Sequence, residues 1–188
     1  GSLSASGMAL TINRGLVNSN NATALGANTA VTVNNNAAFS TGAAQTIASL
    51  AGAGLVTSAT GVLTVGDAQN LSSAFSGLLT NTGGIAKVGS GVLTLSGPNT
   101  GAGSVTVTTG TLRGLDLPTV FGTGAVSLNG GTLDLRANTT QTFGVGATTV
   151  NASSTINVQN NGAGTGNVLS IAALNFTGSN GLSVTGGN

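Results

Sequence analysis

The chain has 188 residues, of which 32 are Gly and only 4% are charged, and it contains no Cys, His, Trp or Tyr. Four basic residues (Arg14, Lys87, Arg113, Arg136) against three Asp give a net charge of +1; with no basic stripe to follow phosphates and no aromatic platform for bases, the expectation is no nucleic acid partner. The apolar fraction of 39% is too high for a disordered linker, and a palette of Val, Leu, Ile, Ala, Thr, Ser and Asn favours strands and turns, so the expected class is all-β.

Gly1-Ser2 reads as a cloning scar, leaving 3–188 as a single β-solenoid segment, a fragment of a larger protein. No run approaches the ~18 apolar residues that span a bilayer, and the start lacks a charged region followed by an apolar one. No membrane insertion by this segment is expected, and any export signal or anchor is placed outside it. The lack of Cys removes disulfides and thiolate metal sites and suits a chain that crosses an oxidising periplasm unfolded.

Along the chain, Ala30-Val31-Thr32-Val33-Asn34 and Gln45-Thr46-Ile47 are similar to the later Ala125-Val126-Ser127-Leu128-Asn129 and Gln141-Thr142-Phe143. Gly54 to Val65 realigns without a gap on Gly84 to Leu95, at an offset of roughly 30 residues. The stretch 68–79 is the best helical candidate, but Ser72-Ser73, Gly77 and the lack of charge support make it strand and turn. Val105-Thr106-Val107 with Gly110-Thr111-Leu112 recurs as Val126-Ser127-Leu128 with Gly131-Thr132-Leu133, at an offset of roughly 21. Two repeat sizes imply rungs joined by loops of varied length.

Within each unit, as in Val62-Leu63-Thr64-Val65 or Thr148-Thr149-Val150-Asn151, apolar residues alternate with polar ones, the period-two pattern of half-buried strands. Asn34-Asn35-Asn36, Gly83-Gly84, Gly130-Gly131 and Asn160-Asn161-Gly162 mark the corners, where a positive φ or a tight turn is needed. Coiling such units pairs each rung's backbone with the next and stacks the alternate apolar residues inside. Roughly 7–9 rungs are expected, and ~8 rungs at ~4.8 Å each give a rod about 40 Å long. Phe39, Phe75, Phe121, Phe143 and Phe176 are expected to fill its wider layers.

The run Gly83-Gly84-Ile85-Ala86-Lys87-Val88-Gly89-Ser90-Gly91-Val92-Leu93-Thr94-Leu95-Ser96-Gly97-Pro98-Asn99-Thr100, followed by Val105 to Leu112 and preceded by Phe75-Ser76-Gly77-Leu78-Leu79, carries a resemblance. It resembles the autotransporter-associated β-strand repeat (passenger-associated transport repeat) of bacterial autotransporter passenger domains. The best match spans 75–114, and Gly101-Ala102 replaces the aromatic that usually follows Asn-Thr. The resemblance implies a right-handed parallel β-helix, secretion through the outer membrane of a Gram-negative-type bacterium, and an extracellular or outer-membrane-anchored location. It implies no catalytic residue.

Without His or Cys, neither a Ser-His-Asp nor a Cys-His arrangement can be built. Asp67, Asp116 and Asp134 are dispersed and lack aromatic sugar subsites, which argues against glycoside hydrolysis, and three scattered Asp cannot supply the oxygens of a calcium site. Lys87 lacks the Ser-x-x-Lys spacing, because position 84 is Gly, and in the repeat family it looks like a residue at a rung edge. The pairs Gly52/Gly54, Gly89/Gly91, Gly101/Gly103 and Gly122/Gly124 never complete a dinucleotide fingerprint and are turns. The offset of roughly 21 sets Asp134 over Arg113, with Arg136 on the same face, a surface ion pair worth about 0–1 kcal/mol. The expectation is therefore no enzyme and no catalytic, cofactor or metal site.

The expected function is a structural stalk or adhesin-type passenger segment that extends from the cell and associates end to end with further copies. The alternative is a ligand-binding solenoid that presents Thr and Asn arrays, such as Thr106 and Thr108, to ice or to a glycan or protein of a host or cell surface.

Overall fold

The computed structural model describes residues 7–22, 24–66, 69–162 and 164–186. Among them there is no helix, and every strand pairing is parallel. Strands close in sequence lie in different sheets, and each pairs with the strand one rung away. This is a β-solenoid of about seven turns, the number of strands in one of its faces.

The strands fall on three principal faces of unequal length. The first holds nine strands, from Ala9–Ile12 through Thr111–Leu115, Thr132–Arg136 and Ser154–Gln159 to Leu182–Gly186. The second begins as four strands, Gly15–Ser19 to Leu78–Asn81, and a bridge from Leu79 to Asn99 carries it one rung further. The third runs over seven strands from Gln45–Ile47 to Leu174–Phe176. The stretch 68–79 contains the strand Ser73–Phe75 and the start of Leu78–Asn81, as expected, with Ala68 outside the described residues.

Only one of the two sequence offsets is a rung. Val105 pairs with Val126 and Thr111 with Thr132, the offset of about 21. The offset of about 30 is not a rung: it carries Leu55–Ser58 of the second face onto Ile85–Lys87 of the third. Likewise Ala30–Val33 lies on the first face, whereas its look-alike Val126–Asn129 lies on the third. All faces need the same apolar-polar alternation, so a motif can recur without returning to the same side.

The interior is a set of apolar columns. On the first face Leu93, Leu112, Leu133 and Ile156 stack in register, and all four are buried. Phe39, Phe75, Phe121 and Phe143 are buried as expected, and the rings of Phe121 and Phe143 meet at 5.9 Å. Phe176 departs from the expectation and is 50% exposed. It continues the inward column of Leu128 and Val150, but it lies on the final strand of its sheet, with no further strand over it among the described residues.

The corners follow the Asn and Gly doublets. Asn36, Gly84 and Gly130 have φ of 67°, 104° and 120°; no residue of 160–162 has a positive φ, so that run turns by ordinary backbone angles. Gly66 shows why glycine is required at one corner. Its φ is 117°, and a Cβ there would stand 1.8 Å from the Val88 carbonyl oxygen of the next rung.

Candidate functional site

On the first face, outward positions align across rungs as Thr94, Arg113, Asp134, Asn157 and Thr185. Strand alternation points Asp134 away from the core, between the inward Leu133 and Leu135, yet its side chain is only 3% exposed. The Nε of Arg113, from the rung before, donates to Oδ2 at 2.7 Å. Arg136, two residues along the same strand, donates from Nε to Oδ2 at 3.1 Å and to Oδ1 at 3.2 Å. Asn157, from the rung after, donates its amide to Oδ1 at 3.0 Å and accepts from the Thr185 hydroxyl at 3.0 Å.

The expected pairing of Asp134 with Arg113 is therefore present, but the cluster is not a simple surface pair. The two guanidinium groups and Asn157 cover the carboxylate. One acid faces two cations that keep about a quarter of their side-chain surface exposed, which gives this patch a net positive charge.

The other candidate carboxylates do not join it. Asp116 sits in a turn with φ of 51°, where its carboxylate accepts the Asn138 backbone N–H at 2.9 Å and the Asn161 side-chain amide. This carboxylate fastens a corner. Asp67 lies outside the described residues. Among the described residues, no group of three His, Cys, Asp or Glu could hold a metal ion.

Lys87 is not at a rung edge. Its strand alternates Ile85 inward, Ala86 outward and Lys87 inward, which places the lysine in a column between Val65 and Val107. The residue is 2% exposed. Its ammonium donates to the backbone carbonyls of Val88 and Gly89, the latter at 2.8 Å, and so closes the turn after its own strand from inside. Burial pushes its pKa down from the ordinary 10.5 to about 8.

An internal polar column went unnoticed in the sequence. Ser19, Thr41, Ser58 and Asn81 end successive strands of the second face, in register and buried. Ser58 donates to the Gly61 carbonyl, and Asn81 accepts the Gly84 N–H at 2.7 Å. Ser58 and Asn81 thereby satisfy turn backbone that would otherwise be buried without partners, while the Ser19 hydroxyl donates to the Gln45 side chain. The signal was available in Leu78-Leu79-Thr80-Asn81, where alternation from the inward Leu79 turns Asn81 inward too.

Polar ladders also link the rungs on the outside. Thr57 and Thr80 share a hydroxyl contact at 2.8 Å, Asn34 donates to Asn13 at 2.7 Å, and Asn151 donates to Asn129 at 3.0 Å. The Thr rank considered for ice binding runs Thr46, Thr64, Ala86, Thr106, Ser127, Thr149 and Asn175. It is broken at Ala86 and mixed beyond it. No family model matches the chain, and no curated protein or solved structure matches it.

Proposed function

We propose that the chain is a non-enzymatic, structural stalk segment of a bacterial surface or secreted protein of the autotransporter passenger kind, which stacks end to end. The observation that carries this reading is the continuous parallel stack, in which the singled-out polar groups are spent on closing turns and on holding rungs together. Lys87 and Asn81 close turns, Asp116 fastens a corner, and the Asp134 carboxylate is covered by its own arginines and Asn157. None of them is presented as a free acid, base or nucleophile beside another, which supports a role in shape.

The rung that ends the described residues has the surface that a further parallel rung, of the same chain or of another copy, would cover. Leu174, Phe176 and Val184 are 42%, 50% and 67% exposed, although their register partners Thr148, Val150 and Ile156 are buried. Leu174–Phe176 and Leu182–Gly186 are also edge strands, with one row of backbone groups unpaired among the described residues. Such an edge is a template for another parallel rung. Between copies, a head-to-tail contact whose rotation does not close builds filaments.

Surface display is tested with antibodies raised against the chain, applied to bacteria that produce it. Intact cells are expected to label as strongly as permeabilised ones. Labelling confined to permeabilised cells would sink the surface assignment.

A further inference from the structure

We propose that Asn161-Gly162 is a site of spontaneous covalent modification, where the asparagine side chain closes on the Gly162 nitrogen and ends as a carboxylate that releases the corner held by Asp116. The inference does not rest on the stalk reading, because it concerns the chemistry of one corner and not the stacking of copies.

Asn161 belongs to a clasp across three rungs. Asp116 follows Thr111–Leu115, Asn138 follows Thr132–Arg136 on the next rung, and Asn161 follows Ser154–Gln159 on the one after. The Asp116 carboxylate accepts the Asn138 N–H through Oδ1 at 2.9 Å and the Asn161 side-chain amide through Oδ2. One anion thus ties the turns of three successive rungs.

An Asn followed by Gly is open to cyclisation, because no Cβ shields the next backbone nitrogen. That nitrogen bonds to the side-chain Cγ and gives up its proton, the Cγ–Nδ2 bond breaks, and Nδ2 leaves with a proton as ammonia. Water then opens the cyclic imide to aspartate or isoaspartate; one water enters, one ammonia departs, and nothing is oxidised or reduced.

The chain has three such pairs, Asn129-Gly130, Asn161-Gly162 and Asn180-Gly181, and the fold treats them differently. The Gly130 N–H is tied to Ser154 Oγ at 2.9 Å and the Gly181 N–H to Ser153 Oγ at 3.1 Å. Gly162 is exposed, and its N–H has no hydrogen-bond partner among the described residues. Nδ2 of Asn161 also lies against the Asp116 carboxylate, which favours the positive charge this nitrogen gains as it is protonated to leave.

The product undoes the clasp. A carboxylate in place of the amide removes the donor to Asp116 and sets two like charges side by side. It also takes the net charge from +1 to zero. The corner therefore loosens with the age of each copy.

The test incubates the full chain, folded and in urea, in mildly alkaline buffer, and follows conversion by ion-exchange chromatography and peptide mapping. In the folded chain Asn161 is expected to convert about tenfold faster than Asn129 or Asn180, whereas in urea the three convert at similar rates. Gly162→Ala, whose Cβ would meet only the Asn138 side chain, nearest at 3.0 Å, is expected to slow Asn161 about tenfold. Hydrogen exchange around Asn138, read by mass spectrometry, is expected to quicken about tenfold both in the converted chain and in Asn161→Asp. An Asn161 that stays intact, that converts no faster than the other two in the folded chain, that keeps the same lead in urea, or that ignores Gly162→Ala would overturn the site. Unchanged exchange around Asn138 after conversion would overturn the release of the corner.

Discussion

Asp134→Ala is expected to lower the unfolding free energy by about 3–5 kcal/mol, the range for breaking a buried charge pair by removing one partner. The carboxylate lies under three donors from three successive rungs. Its loss leaves two arginines facing each other without an anion and deprives the Asn157 amide of its acceptor. Both arginines retain about a quarter of their side-chain exposure, so water relieves part of the repulsion, and a value near the lower end is expected. Urea unfolding followed by circular dichroism measures it as a fall in the midpoint at constant slope. Arg136→Gln is the control: Arg113 stays on the carboxylate, and the cost should be about 1 kcal/mol or less. A cost for Asp134→Ala as small as the control's would return the cluster to an ordinary surface pair.

Raising the pH from about 8 to 10.5 is expected to stabilise the folded chain by up to about 3 kcal/mol, through Lys87 alone. The sign follows from the direction of the shift. In the folded chain burial lowers the lysine from 10.5 to about 8, so between these values the unfolded chain binds the extra proton. Stability therefore rises with pH across that window. Below it the lysine is protonated in both states and the burial penalty is constant; above it the penalty is gone. The composition makes this measurement unusually clean, because Lys87 is the sole lysine and there is no Tyr, Cys or His. Urea midpoints at pH 7 to 10.5 should climb for the unaltered chain and stay level for Lys87→Met. A level profile for both would place the lysine in water.

The fold was legible because its signal is repeated on every rung. Val105-Thr106-Val107 over Val126-Ser127-Leu128 states both the strand period and the rung length, and the structure pairs these residues one to one. The misleading offset came from the same source. Leu55–Ser58 and Ile85–Lys87 obey one alternation rule on different faces, and nothing in a local pattern says which face a strand occupies. The polar groups divide in the same way. Lys87 could have been placed inside, two residues beyond the inward Ile85. The burial of Asp134 could not, since its cover comes from Arg113 and Asn157, which approach only when neighbouring rungs stack. Phe176 obeys the alternation and is nevertheless exposed, because burial of an inward side chain depends on a rung above as well as one below.

The central claim, a stacking rod, is tested most directly by light scattering behind size-exclusion chromatography over a wide range of protein concentration, with electron microscopy of the same fractions. The account predicts a mass that climbs in whole multiples of 17.7 kDa and unbranched rods of constant width that lengthen with concentration. A mass that stays at 17.7 kDa throughout the range, with single compact particles in the images, would contradict it.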